Sequence, residues 1–294
     1  MPLDFLRTTL GDAVVTQVVE LEIGQQLAWL LPQTTPENIR QITWLGAPFR
    51  NEDFSLNAVS QCFIIEINGR ILVVDTCIGN DKKISEVAEW NGQRLGFLET
   101  LRSAGIDRER VTDVICTHLH IDHVGWNTYL SEGEWLPTFP NAKYHFARGE
   151  YEYWLQAERE TLAEKGSALM SESVLPVFDA GLAHLIEPPT DLGDGITIIP
   201  TPGHTHSHIA IEINAGAQSF IIAGDAFHHP CQIAKPEWAS IGDYDQSQST
   251  ATRQSLLKEL TGSATLIAGT HFSPPSFGHI IKSSTGDYRF VVSD

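Results

Sequence analysis

With 294 residues, 42% of them hydrophobic and 19% charged, the chain has enough apolar material for a large buried core and lacks the composition of a disordered polypeptide. Its 37 acidic residues outnumber 19 basic ones, giving a formal net charge of -18 with no Lys/Arg run, which argues against a nucleic-acid partner. No apolar run reaches the length of a membrane span and no leader-like pattern opens at Met1-Pro2-Leu3-Asp4, so a cytoplasmic protein without a membrane partner is expected.

The elements predicted in chain order begin with two β-rich runs, 62–67 and 71–74, around Asn68-Gly69-Arg70, a hairpin signal. A helix is predicted over 96–104, strands over 111–117 and 143–147, and a helix over 149–169. Strands follow at 196–200, 209–213 and 219–223, then a helix over 250–260 and a strand over 265–268. This alternation predicts a layered α/β fold. With no convincing linker, one domain over 1–294 is expected, with residues 151–185 inserted as a helical cap. The four cysteines, Cys62, Cys77, Cys116 and Cys231, form no C-x-x-C pair, which suits reduced thiols.

Ligand-type residues recur where predicted strands end. Strand 111–117 runs into His118, Leu119, His120, Ile121, Asp122 and His123, four candidate metal ligands in six residues. His204 follows strand 196–200, Asp225 follows strand 219–223, and His271 follows strand 265–268. Several strand ends that supply histidine and aspartate suit a single site along one sheet edge. Cys116, two residues before His118, sits on the apolar strand and is expected to pack in the core.

His118, His120, Asp122, His123, His204, Asp225 and His271 together resemble the dinuclear ligand set of the metallo-β-lactamase superfamily. The resemblance implies a four-layered αβ/βα sandwich and two divalent metal ions, zinc first, with Mn, Co or Fe as other occupants. It implies that His118, His120 and His204 hold one ion and Asp122, His123 and His271 the other, with Asp225 bridging them. That bridging carboxylate is generally missing from true metallo-β-lactamases. Gly224-Asp225-Ala226-Phe227-His228 and residues 269–280 are similar to the branch of methyl parathion hydrolase and related lactonases. Acyl-homoserine lactonases often carry a tyrosine at the position of His228, and Thr205-His206-Ser207-His208 departs from the turn common among relatives.

The implied activity is hydrolysis of a small ester, lactone or organophosphate-like substrate by a hydroxide bridging the two metals. Asp122 and His228 are the candidate catalytic residues, with His228 expected near neutrality and able to bond a developing oxyanion or protonate a leaving group. Asp75, at a strand end, is expected to orient a ligand histidine. Trp126, Phe272, Phe277 and His279 are candidates for contact with the small-molecule substrate. His208 is expected to fix its loop, and His145, His184, His206 and His229 to be structural or exposed. A homodimer is a mild expectation. The alternative is a mononuclear iron dioxygenase of the same fold, of the persulfide dioxygenase kind, using His118, His120 and His204. A phosphodiesterase acting on RNA would need a basic surface that the chain lacks.

Overall fold

A computed structural model describes residues 5–157 and 168–293. The chain divides into two compact units, each assembled from separate stretches. Met1–Thr9, Ala13–Glu20 and Ser60–Glu187 form the first, and Leu10–Asp12, Leu21–Val59 and Pro188–Asp294 the second.

The first unit is built on a seven-stranded sheet ordered β1 (Phe5–Leu10), β2 (Ala13–Glu22), β3 (Val59–Ile67), β4 (Arg70–Val74), β5 (Asp113–Ile115), β8 (Lys143–Ala147), β9 (Ala183–Ile186). Between β5 and β8 lies a separate hairpin, β6 (Thr128–Ser131) and β7 (Glu134–Pro137). The predicted hairpin is β3–β4, and Asn68 and Gly69 at its tip have φ of 50° and 80°. Positive φ at both central residues is what a tight turn between twisted strands requires. Strands β4, β5, β8 and β9 run parallel, so their carboxyl ends share one edge. Parallel strands need crossovers, and the helices Phe97–Ser103, Arg148–Ala157 and Leu175–Asp179 lie in them.

One predicted element of this unit is shorter than expected, and another is described only in part. Strand β5 stops at Ile115 because the next amide but one, that of Thr117, donates to Asp75 Oδ1 at 2.8 Å instead of extending the ladder. Of the helix expected over 149–169, Arg148–Ala157 is helical, residues 158–167 lie outside the described part, and a single π-helical turn, Met170–Val174, precedes the helix Leu175–Asp179. The described flanks of the expected cap form the crossover from β8 to β9, with Met170, Val174 and Val177 fully buried and Trp154 packed against the same core.

The second unit carries a seven-stranded sheet in chain order: β10 (Thr190–Gly193), β11 (Ile196–Pro200), β12 (Ile209–Ala215), β13 (Gln218–Ile222), β14 (Leu266–Ala268), β15 (Gly278–Lys282), β16 (Tyr288–Val292). β11 and β13 both run antiparallel to β12, and β14 runs parallel to β13, so β11, β13 and β14 point the same way. Their carboxyl ends lead to His204, Asp225 and His271. The crossover from β13 to β14 contains the helix Gln246–Leu260, which starts four residues earlier than predicted because Asp245 caps it, accepting the amides of Ser247 and Gln248. The loop before His204 lies against the first turn of this helix. At Gly203, with φ of 129°, a Cβ would come within 2.2 Å of the Ser249 amide.

Candidate functional site

In the first unit the ligand-rich turn is fixed from below by Asp75. This residue ends β4 with φ of 54° and is fully buried. Its Oδ1 accepts the Thr117 amide at 2.8 Å, and its Oδ2 accepts the Thr117 hydroxyl and His123 Nδ1, both at 2.9 Å. A carboxylate can only accept here, so Thr117 must give its hydroxyl proton to Asp75 and take one from His118 Nδ1 at 3.0 Å. The proton placement follows: His118 and His123 carry a proton on Nδ1, and in the neutral tautomer each then offers the Nε2 lone pair. His118 Nε2 lies 2.9 Å from His120 Nδ1, and His123 Nε2 lies 3.8 Å from Asp122 Oδ1. Asp75, the residue expected to orient a ligand histidine, lies beside His123.

The turn is clamped onto the 75–79 loop by three short backbone bonds, Thr76 N to His123 O, Gly125 N to Cys77 O and Trp126 N to Thr76 O, each 2.7 Å. Gly125 permits this approach, since a Cβ there would fall 1.8 Å from Ile78 O. Glu20, which the sequence reading passed over, completes the clamp. It accepts Trp126 Nε1 at 2.6 Å and the amides of Ile78 and Gly79 at 2.7 and 3.1 Å. Burial pushes its carboxyl up from 4.5 to about 7, against the lowering effect of these three bonds. Glu150 and Trp154 of the crossover helix reach the same turn, through Leu119 N to Glu150 Oε1 at 3.3 Å and a ring contact of 5.4 Å between His120 and Trp154.

In the second unit three imidazoles gather on one oxygen. His271 Nε2, His228 Nε2 and His204 Nε2 lie 3.2, 3.4 and 3.5 Å from Asp225 Oδ2. His271 Nδ1 bonds to the carbonyl of Val59 at 2.9 Å, and His204 Nδ1 to Asp243 Oδ1 at 2.9 Å. Both partners are pure acceptors, so each Nδ1 carries a proton, and in the neutral tautomer this leaves Nε2 with its lone pair turned toward the Asp225 carboxylate. Lone pairs facing lone pairs at this distance suit a cation. The donor set of imidazole and carboxylate fits zinc and its first-row neighbours. Asp225 itself is held by its amide, which donates to His208 Nε2 at 3.0 Å, while His208 Nδ1 bonds Thr201 Oγ1 at 2.8 Å. His208 thus fixes the loop.

Asp243 is the second residue missed by sequence reading. Its side chain is fully buried, Oδ2 accepts the Ser240 amide at 3.1 Å, and Arg253 Nη1 stands 3.9 Å behind it. Arg253 is buried too, with Nε on Pro236 O and Nη1 on Ser249 Oγ. A signal existed. Ser249, Arg253, Leu256 and Leu260 share one helical face, and an arginine on a buried stripe calls for a buried acid.

His228 departs from expectation. It is fully buried, neither ring nitrogen meets hydrogen-bond geometry with any described residue, and burial pushes it down to about 3, so the imidazole is neutral at pH 7. The aromatic candidates also sit deep. Trp126 stacks on Phe97, Phe272 packs edge-on against Phe49 and Phe290, and Phe277 meets Phe220, leaving them 2%, 0% and 4% exposed. Their faces are taken up by core neighbours, so the substrate wall expected from them is not presented. His279 lies half-buried on β15, opposite Val291. His229 is structural, bonding the carbonyl of Phe49 and the amide of Cys231, and His206 is exposed. All four cysteines are free and buried, and Cys116 Sγ meets only core and Asn127.

The metallo-β-lactamase superfamily model matches residues 58–271. A protein named "Probable metallo-hydrolase Rv2300c" from Mycobacterium tuberculosis is 26% identical over 199 residues, 60% of this chain and 59% of that protein. "Metallo-beta-lactamase domain-containing protein 1" of Xenopus laevis is 26% identical over 166 residues, 56% of this chain and 57% of that protein. The chain thus spans less than two thirds of the length of the curated relatives it matches. Among solved structures, the hydrolase AbOPH superposes with a TM-score of 0.77 at 20% identity, covering 100% of this chain and 99% of that one. AidC, described as a dizinc quorum-quenching lactonase in complex with a product, gives 0.76 at 19%, covering 99% and 97%. At such identities the likeness shows the fold, which is the α/β fold of metallo-β-lactamase type. On the extent of the family match and the fold, the chain belongs to the metallo-β-lactamase superfamily.

Proposed function

We propose that this chain is a dinuclear, zinc-dependent hydrolase of a small ester, lactone or organophosphate-like substrate, acting in the cytoplasm. In this reading His118, His120 and His204 hold one ion, Asp122, His123 and His271 the other, and Asp225 both. The observation that carries it is the gathering of the Nε2 atoms of His204, His228 and His271 around Asp225 Oδ2, a donor set suited to a cation. When bound, such ions polarise a substrate oxygen and lower the pKa of coordinated water.

The chain's own residues then have distinct tasks. Asp75, Asp243 and the Val59 carbonyl fix the Nδ1 protons of His123, His204 and His271, so each ring is already oriented and in the tautomer that offers Nε2. His228, neutral and with a ring N–H not engaged by any described residue, serves as a hydrogen-bond donor to the oxygen that gains charge, rather than as a proton-transferring acid.

Elemental analysis with a panel of an aryl ester, an acyl lactone and a phosphotriester tests the proposal. Two zinc ions per chain are expected, with hydrolysis abolished in Asp225→Ala. In His228→Phe, kcat should fall by roughly 100-fold at unchanged metal content, the usual effect of losing one such donor. One iron per chain and oxygen consumption without hydrolysis would overturn it in favour of a dioxygenase.

A further inference from the structure

Across the first unit's sheet, four neighbouring strands carry polar side chains that touch in succession, diagonally from Arg70 to Asp113 to His145 and directly across from His145 to His184. Arg70 on β4 grips Asp113 on β5 through two contacts, Nη2 to Oδ1 at 2.7 Å and Nε to Oδ2 at 3.0 Å. Asp113 Oδ1 also meets His145 Nε2 of β8 at 2.9 Å. His145 is paired in register with His184 of β9, and their Nδ1 atoms lie 3.2 Å apart. Asp113 is held as a carboxylate by this company, with burial opposed by its bonds to His145, Arg70 and Thr112. It can only accept, so His145 donates from Nε2, and its Nδ1 faces the Nδ1 of His184.

We propose that His145 and His184 form a second-class metal site, a two-imidazole seat for a divalent transition ion at the edge of this sheet and separate from the seven ligands above. Three features carry it. Two imidazole nitrogens bound to one tetrahedral zinc at the usual bond length stand about 3.3 Å apart, close to the separation here. Asp113 on the far nitrogen of His145 supplies the carboxylate–histidine arrangement that orients and strengthens metal-binding imidazoles. The outer partner, His184, is exposed, so an ion can enter and complete its coordination with water. Partial burial, His145 and Lys143 hold its pKa below the ordinary histidine value, which favours the neutral form that binds metal. Occupancy would staple the edge strand β9 to β8, closing the whole crossover between them. A plain histidine–histidine hydrogen bond accounts for the same distance, and the two accounts diverge in their response to metal.

The test is calorimetric titration of Zn²⁺ into full-length protein dialysed to constant metal content, at pH 7.5. One further equivalent of micromolar affinity is expected. In His184→Gln, a surface change that leaves the other ligands alone, that equivalent should weaken at least tenfold while the metal already bound is unchanged. Amide exchange in β9 should slow on adding Zn²⁺ to the parent and not to the variant. His145→Asn, checked for native circular dichroism, should behave as His184→Gln does. Absence of a further equivalent in the parent, or its survival in His184→Gln, would overturn the proposal.

Discussion

At the scale of single residues, the side chains that matter most beyond the ligands are the buried carboxylates behind them. Asp243→Asn keeps the shape of the pocket around His204 and loses the obligatory acceptor for its Nδ1 proton. Chelator competition should show metal affinity reduced roughly 10- to 100-fold, the usual effect of losing such a partner. Glu20 gives a pH signature. Burial raises its folded pKa to about 7 from 4.5, so between these values the folded chain holds a proton that the unfolded chain has released. Its contribution to stability is complete below pH 4.5 and is lost as pH rises through about 7. In metal-free protein, urea unfolding at pH 5 and pH 8 should therefore show Glu20→Gln gaining stability relative to the parent at the higher pH. Equal differences at the two pH values would contradict the assignment.

Among the elements, those announced by continuous apolar runs or by turn chemistry were legible in the sequence. β8 and β11 coincide with their predicted spans, and Asn68-Gly69 marks the hairpin tip. The ligand sequence was legible because four metal-binding side chains in six residues have no packing rationale. Part of what escaped notice shares a cause. β1 is half-exposed, with an i-e-e-i-e-B pattern, and β16 likewise, so neither shows a buried run. Asp243 and Glu20 lie on loops or strand ends whose partners are 39 and 106 residues away, and pairings at that separation leave no local trace. The ligand turn also predicts its own fragility. Gly125→Ala must push Ile78 O away from a 1.8 Å approach and so break the 2.7 Å bond from Gly125 N to Cys77 O. Loss of stability by roughly 1–3 kcal/mol is expected in thermal unfolding, with loss of bound metal.

For the whole molecule, a net charge of -18 is self-repelling, and bound cations offset part of it. Metal that binds only the folded chain adds about 4 kcal/mol when its free concentration is 1,000 times Kd. Stripping it with chelator should lower the melting temperature by on the order of 10 °C, and restoring zinc should recover it. An unchanged melting curve would mean that the ligands bind no ion of consequence. The described residues contain no helix long and apolar enough to cross a membrane.

The interleaving of the two units also sets a timetable for synthesis. Residues Leu21–Val59 belong to the second unit, whose remaining strands begin only at Pro188. At roughly 5–20 residues per second, a ribosome spends about 6 to 26 seconds making the intervening stretch, Ser60–Glu187. Throughout that interval Ile23, Leu27, Leu31 and Ile39, all destined for the interior, have left the exit tunnel without the strands of their own unit. The order of synthesis therefore separates these apolar side chains from most of their own unit until Pro188 and the residues beyond it have been made.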